Sequence, residues 1–156
     1  MKKILAMVTL LAMLLGMAAC SSAPAAQANV EGELKDLFVK IYENSGVDNP
    51  MTLETVLDDT NKEYMLGSAE VTFTEGLASE AAIMTIPHSI VLIRVDKNTD
   101  IEKTKQLIRD NVNPRKWICA GVDPEQVIVD NIGDLIFLVM SYEADAYHAS
   151  FLKLAE

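Results

Sequence analysis

Histidine is scarce in this chain, and its scarcity excludes a good deal of chemistry. Only His88 and His148 are present. Neither sits in a His-x-x-x-His, Cys-x-x-Cys or paired-acid pattern, so two to four converging ligands are not expected, and with them no metal and no cofactor. His88 follows Pro87 in Ile86-Pro87-His88-Ser89 and reads as a turn residue between two apolar runs. Cysteine is equally sparse, with Cys20 and Cys119 alone. If Cys20 is modified, Cys119 is the one free thiol left and no intramolecular disulfide can form. A phosphate-binding glycine loop and internal repeats are also missing. Basic residues are few, 13 against 23 acidic for a net charge of -10, which argues against a nucleic-acid partner. Long apolar runs are limited to Ile4 to Ala19, shorter than the ~20 residues that span a bilayer comfortably.

That one apolar run has the parts of a lipoprotein signal peptide. Lys2 and Lys3 hold the amino end inside, Ile4 to Leu15 form the apolar segment, and Met17-Ala18-Ala19 place small residues before Cys20. A lipid-modifying transferase needs a thiol to alkylate, and the peptidase needs small side chains before the cut. The expectation is a leader over residues 1–19 and a lipid on Cys20, anchoring the protein to the extracytoplasmic face of the cell membrane. The alternative is an ordinary secretory peptide with Cys20 incidental. Ser21 to Asn29 lacks charge and large apolar residues and reads as a flexible tether over residues 20–29. A single domain is expected over residues 30–156.

Without residues 1–19 the chain has 11 basic and 23 acidic side chains, a net of -12. The segment from Arg94 to Lys116 is net +3, which leaves -15 on the remainder. Lys103, Lys105 and Arg109 within it make a candidate docking face for anionic lipid, wall polymer or an acidic envelope protein. A solvated helix face with ion pairs explains the same charges. Cys119 lies in Trp117-Ile118-Cys119-Ala120-Gly121, an apolar setting in which a thiol is normally a small buried hydrophobe. A nucleophile, base and orienter can be drawn from Cys119, His148 and Asp145, but any three such residues can be combined in a chain of this length.

Periodicity supplies the fold class. Val30 to Asn44 places Val30, Leu34, Leu37, Phe38, Ile41 and Tyr42 on one stripe and predicts a helix ending before Gly46. Leu53 to Leu66 reads as one or two short helical pieces. Ala69 to Thr74 alternates as a strand, Gly76 marks a turn or bulge, Glu80 to Ile86 is extended, and Ile90 to Val95 suits a central strand. Thr99-Asp100-Ile101-Glu102 predicts a capping box opening a helix to about Asn111. Gln126 to Asn131 and Leu135 to Met140 form a hairpin around Gly133, and a last helix runs from Glu143 to Leu154, with Ser141 as its cap. The expected fold is α+β, a mainly antiparallel sheet with helices packed on one face, in the order α-(short α)-β-β-α-β-β-α.

The span from Leu66 to Leu154 carries Ser89-Ile90-Val91-Leu92-Ile93-Arg94-Val95, a capped helix, Val127-Ile128-Val129-Asp130-Asn131, Gly133, Ile136-Phe137-Leu138-Val139-Met140-Ser141 and a terminal helix. In this it resembles a family of small Gram-positive membrane-anchored lipoproteins with a C-terminal domain of unknown function. The resemblance implies location and fold without supplying a mechanism. Three function classes follow: a noncatalytic binding or accessory module of the cell envelope, which is favoured; a capture domain for a small ligand or peptide; and a thiol-dependent hydrolase. A deep pocket near Trp117 and Tyr147 is the feature that favours the second. Pairing of a partner strand with an open sheet edge is a further route for the first.

Overall fold

The computed structural model describes residues 29–156, so the leader, Cys20 and most of the tether lie outside the described residues. Helix α1 (Leu34–Ser45) is followed by strand β1 (Thr52–Val56), a short helix α2 (Lys62–Leu66), strands β2 (Glu75–Ala81) and β3 (His88–Arg94), helix α3 (Ile101–Asn111), the hairpin β4 (Val127–Ile132) and β5 (Leu135–Ser141), and helix α4 (Ala144–Leu152). The five strands form one wholly antiparallel sheet in the order β1-β2-β3-β5-β4. The fold is α+β.

Local chemistry explains most boundaries. Gly46 and Gly67 stop α1 and α2 in the left-handed conformation, which glycine adopts without a Cβ penalty. Asp100 caps α3, its carboxylate accepting the Lys103 N–H at 3.0 Å. The cap is therefore one residue later than the Thr99 box that the sequence suggested. The hairpin turns at Gly133-Asp134, with Gly133 at positive φ. Ser141 does not cap α4 from the N-cap position, which Glu143 occupies; its hydroxyl accepts the Glu143 N–H at 3.3 Å from just upstream.

Helices cover both faces of the sheet, not one. On one face α1 and α4 bury Leu37, Phe38, Ile41, Tyr147 and Phe151 against Ile90, Leu92, Phe137 and Val139. On the other, Ile108 of α3, Trp117 and Met65 pack on Val91, Ile93, Ile136 and Leu138. Every residue of β5 and all but the last of β3 are consequently buried. Their near-continuous apolar runs are the signature of a strand with no wet face. Phe137 stacks on Phe151 with centroids 4.5 Å apart.

Four stretches differ from the sequence-based expectation. Glu80 to Ile86, expected to be extended, is strand only to Ala81, and residues 82–86 turn. Thr52 to Val56 is a strand where helical pieces were expected, and only Lys62–Leu66 of that region is helical. Val71 and Phe73 pack into the α3-side core, yet residues 71–74 form no strand and the ladder begins at Glu75. Gly76 lies inside β2, not at a turn: a Cβ there would sit 3.0 Å from the Leu57 Cβ and 3.1 Å from Ile93 Cγ2, so the residue is small for packing.

Candidate functional site

β1 is an edge strand, and the ladder fixes which of its backbone groups face outward. The Ala82 N–H donates to the Met51 carbonyl and the Leu57 N–H to the Gly76 carbonyl, both at 2.9 Å. Residues 51, 53, 55 and 57 therefore turn their backbone toward β2. Antiparallel alternation turns Thr52, Glu54 and Val56 away from the sheet. The Val56 carbonyl accepts from the Asn61 side chain at 2.9 Å. The N–H and C=O of Thr52 and Glu54 and the N–H of Val56 have no such partner among the described residues.

The side chains along this edge are apolar and exposed. Met51 is 75 %, Leu53 63 % and Val56 71 % accessible. Residues 82–87, tied to β1 through Ala82, add exposed Ile83 and Met84, and Ile118 joins them through an N–H bond to the Met84 carbonyl at 3.0 Å. A groove of about 620 Å³ lies between the first turn of α1 and the β1–β2 pair, lined by Leu57, Phe73 and Leu77 together with Glu33, Glu54 and Glu75. Lys35 pairs with Glu54 at 3.5 Å.

The opposite edge is partly covered by side chains of α3. Arg109 donates to the Val129 carbonyl at 2.9 Å, and the Lys105 amine reaches Asn131 Oδ1 at 2.7 Å, Glu102 at 2.7 Å and Asp130 at 3.8 Å. Charged side chains laid over a strand edge block addition of another strand. Of the three residues read as a cationic docking face, Lys105 is buried, Arg109 is exposed but donates to the Val129 carbonyl of β4, and Lys103 is exposed and in no ion pair among the described residues. The spacing carried a signal for Lys105, which falls four residues after Ile101 and three before Ile108 on the inward stripe of α3.

The remaining polar clusters are internal. His88 is no turn residue: it opens β3, fully buried, and its Nε2 lies 2.9 Å from the Tyr42 hydroxyl while Nδ1 lies 3.3 Å from Ser141 Oγ. Tyr42 donates onward to Ser79 Oγ at 2.8 Å. A neutral ring protonated on Nε2 satisfies this whole chain of donors and acceptors. Burial lowers the His88 pKa to about 4. Below pH 6.5 the unfolded chain takes up a proton that the folded ring refuses, so this contribution is complete above pH 6.5 and is lost as the pH falls toward 4. In urea titrations the stability advantage of the wild type over His88→Gln is expected to shrink by about 3 kcal/mol from pH 7 to pH 4. An advantage independent of pH would contradict this assignment.

Lys116 buries its amine completely and pairs with Glu80 at 2.5 Å. It also donates to Ser89 Oγ at 3.2 Å and lies over the Tyr64 and Trp117 rings at 4.9 and 5.5 Å. Burial pulls its pKa below the ordinary lysine range, opposed by the Glu80 charge and hydrogen bond. His148 Nε2 bonds Asp130 Oδ2 at 2.8 Å. Partial burial pushes the Asp130 carboxyl up, but the His148 bond, the Asn131 N–H and the charges of His148 and Lys105 outweigh it and hold the group below the usual range.

The thiol constellation does not assemble. Cys119 is exposed, at φ 55°, and not a buried hydrophobe. It follows Trp117 on the α3 face of the sheet, whereas His148 stacks on Phe137 on the α1–α4 face and takes Asp130, not the exposed Asp145, as its partner. Trp117 and Tyr147 likewise belong to opposite cores and cannot line one pocket. Among the described residues no group of three or more His, Cys, Asp and Glu is placed to hold a metal ion, and no helix is long and apolar enough to cross a membrane. Comparisons with protein-family models, curated proteins and solved structures found no match.

Proposed function

We propose that this chain is a lipid-anchored lipoprotein of the extracytoplasmic membrane face, and that its folded part is a noncatalytic binding or accessory module of the cell envelope. The observation that carries the binding role is the open β1 edge, where outward backbone groups and exposed Met51, Leu53 and Val56 lie together. A strand left unpaired beside exposed apolar side chains is a surface suited to another polypeptide. The anchor rests on the leader and on Cys20 after Met17-Ala18-Ala19. Membership of the small Gram-positive lipoprotein family belongs to the same reading.

Cross-linking in intact cells that express the lipidated protein, followed by mild extraction and mass spectrometry, tests it. One or two specific protein partners are expected, with a Cys20→Ser copy shed from the membrane. Retention of Cys20→Ser on the membrane contradicts the anchor, and absence of any cross-linked protein contradicts the binding role and moves the weight to small-ligand capture. Docking through the α3 face is probed with Lys103→Glu alone, since reversing Lys105 or Arg109 would also strip the bonds that guard β4.

A further inference from the structure

The two edges of the sheet are treated oppositely by the sequence. β4 is guarded by Lys105 and Arg109, whereas β1 carries one glutamate, one partly neutralising lysine from α1, and two apolar side chains that face water. Edge strands left open, without inward charges, proline or a covering helix, are the ones that accept a further strand.

Charge selects what can enter. The segment from Glu43 to Glu80, which contains β1 and most of β2, has nine acidic residues and Lys62 as its one base. Glu33, Glu54 and Glu75 border the groove, Lys35 pairing with Glu54 and Arg94 with Glu75, so that the acids there still outnumber the bases by one. A second copy of this chain is a poor occupant, because antiparallel pairing centred on β1 sets Glu54 opposite Glu54 and brings together two domains of net charge -12. The tether from Ser21 to Asn29 supplies neither a base nor a large apolar side chain. A basic chain with apolar residues at alternate places complements both features.

Resting on the binding-module reading above, we propose that the β1 edge receives an extended basic segment of a partner polypeptide as a sixth, antiparallel strand. A lysine or arginine of that segment sits opposite Glu54, and an apolar side chain sits opposite Leu53 on the other face. Register dictates the alternation. Glu54 and Val56 share the groove face with Ser79 and Leu77, while Leu53 shares the other face with Glu80. The incoming main chain bonds the outward N–H and C=O of Thr52 and Glu54 and the N–H of Val56.

The test uses the full-length protein in detergent micelles and an end-capped peptide that alternates valine with lysine, with a valine–glutamate peptide as control. Binding of the lysine peptide is expected to slow amide exchange at Thr52, Glu54 and Val56, and to weaken about tenfold or more in Glu54→Lys and at high salt. Thr52→Pro removes an outward N–H while sparing the β1–β2 ladder, so it is expected to abolish binding. Glu54→Lys alters an exposed side chain and keeps the test decisive if the proline variant folds poorly. Equal binding of both peptides, or protection confined to other residues, overturns the proposal. A dimer that protects the same amides without peptide overturns it in favour of a second copy. In cells, a cross-linked partner that persists in both variants overturns the edge inference and leaves the binding-module reading standing, whereas no cross-linked protein overturns both.

Discussion

Gly67→Ala is expected to remove about 2–5 kcal/mol of stability, measured by urea unfolding at neutral pH. Two costs add. Gly67 closes α2 at φ +82°, where an alanine costs roughly 1–2 kcal/mol. A Cβ there would also overlap the Asn111 carbonyl carbon and the Val112 nitrogen. Those are backbone atoms at the end of α3, and they cannot swing aside as a side-chain tip could, so α2 and α3 must separate. Overpacking of this kind costs about 1–3 kcal/mol. Gly46 is the internal control. It closes α1 at φ +72° with nothing within 4 Å of the added Cβ. Gly46→Ala should therefore show the conformational cost alone, about 1–2 kcal/mol. Equal losses in the two variants would mean that the α2–α3 approach is looser than described.

Glu80→Ala is expected to cost about 3 kcal/mol or more, because it leaves the Lys116 amine buried without its counter-charge. Glu80 is 20 % exposed and Lys116 1 %, so the two halves of the pair are not equivalent. In Lys116→Met the glutamate can turn to water, and the loss should be about 1–2 kcal/mol, with the thioether filling the space under Tyr64 and Trp117. The proton balance offers a second readout. A lysine whose folded pKa is depressed binds fewer protons folded than unfolded, so Glu80→Ala should regain stability as the pH rises through the alkaline range toward 10. Comparable losses in both single variants, or no alkaline recovery in Glu80→Ala, would contradict the ion-pair account.

Leu53 stands opposite Glu80 across the β1–β2 ladder, so the pair that holds the residue 116 loop over the sheet also supports the ground beneath the exposed edge. Loss of the pair is therefore expected to loosen the Ile118–Met84 backbone contact before it reaches the α1–α4 core.

Much of the fold was legible in residue order. The stripes of α1, α3 and α4 follow helical spacing, the Gly133 hairpin announces itself between two β-rich runs, and Ile90 to Val95 is too apolar for anything but a central strand. β1 was missed because Thr52-Leu53-Glu54-Thr55-Val56 is short and polar enough to pass for a helical piece, though Thr52, Thr55 and Val56 supply the β-branching. The second helical layer was also recoverable, since near-continuous apolar strands such as β3 and β5 require cover on both faces.

The sequence alone determined an acidic α+β chain with two histidines, two cysteines and one long apolar run near its start, because composition and periodicity act locally and leave their mark in order along the chain. Only the tertiary structure decided that His88 is a buried neutral hub, that Lys105 and Arg109 guard β4, that Lys116 is enclosed with Glu80, and that Cys119 and His148 lie on opposite sides of the sheet. It also decided that β1 ends the sheet with the outward N–H and C=O of Thr52 and Glu54 unpaired among the described residues. Each of these depends on which distant segments the sheet order brings together, and a side chain's charge state or availability is set by those neighbours and by the water they exclude.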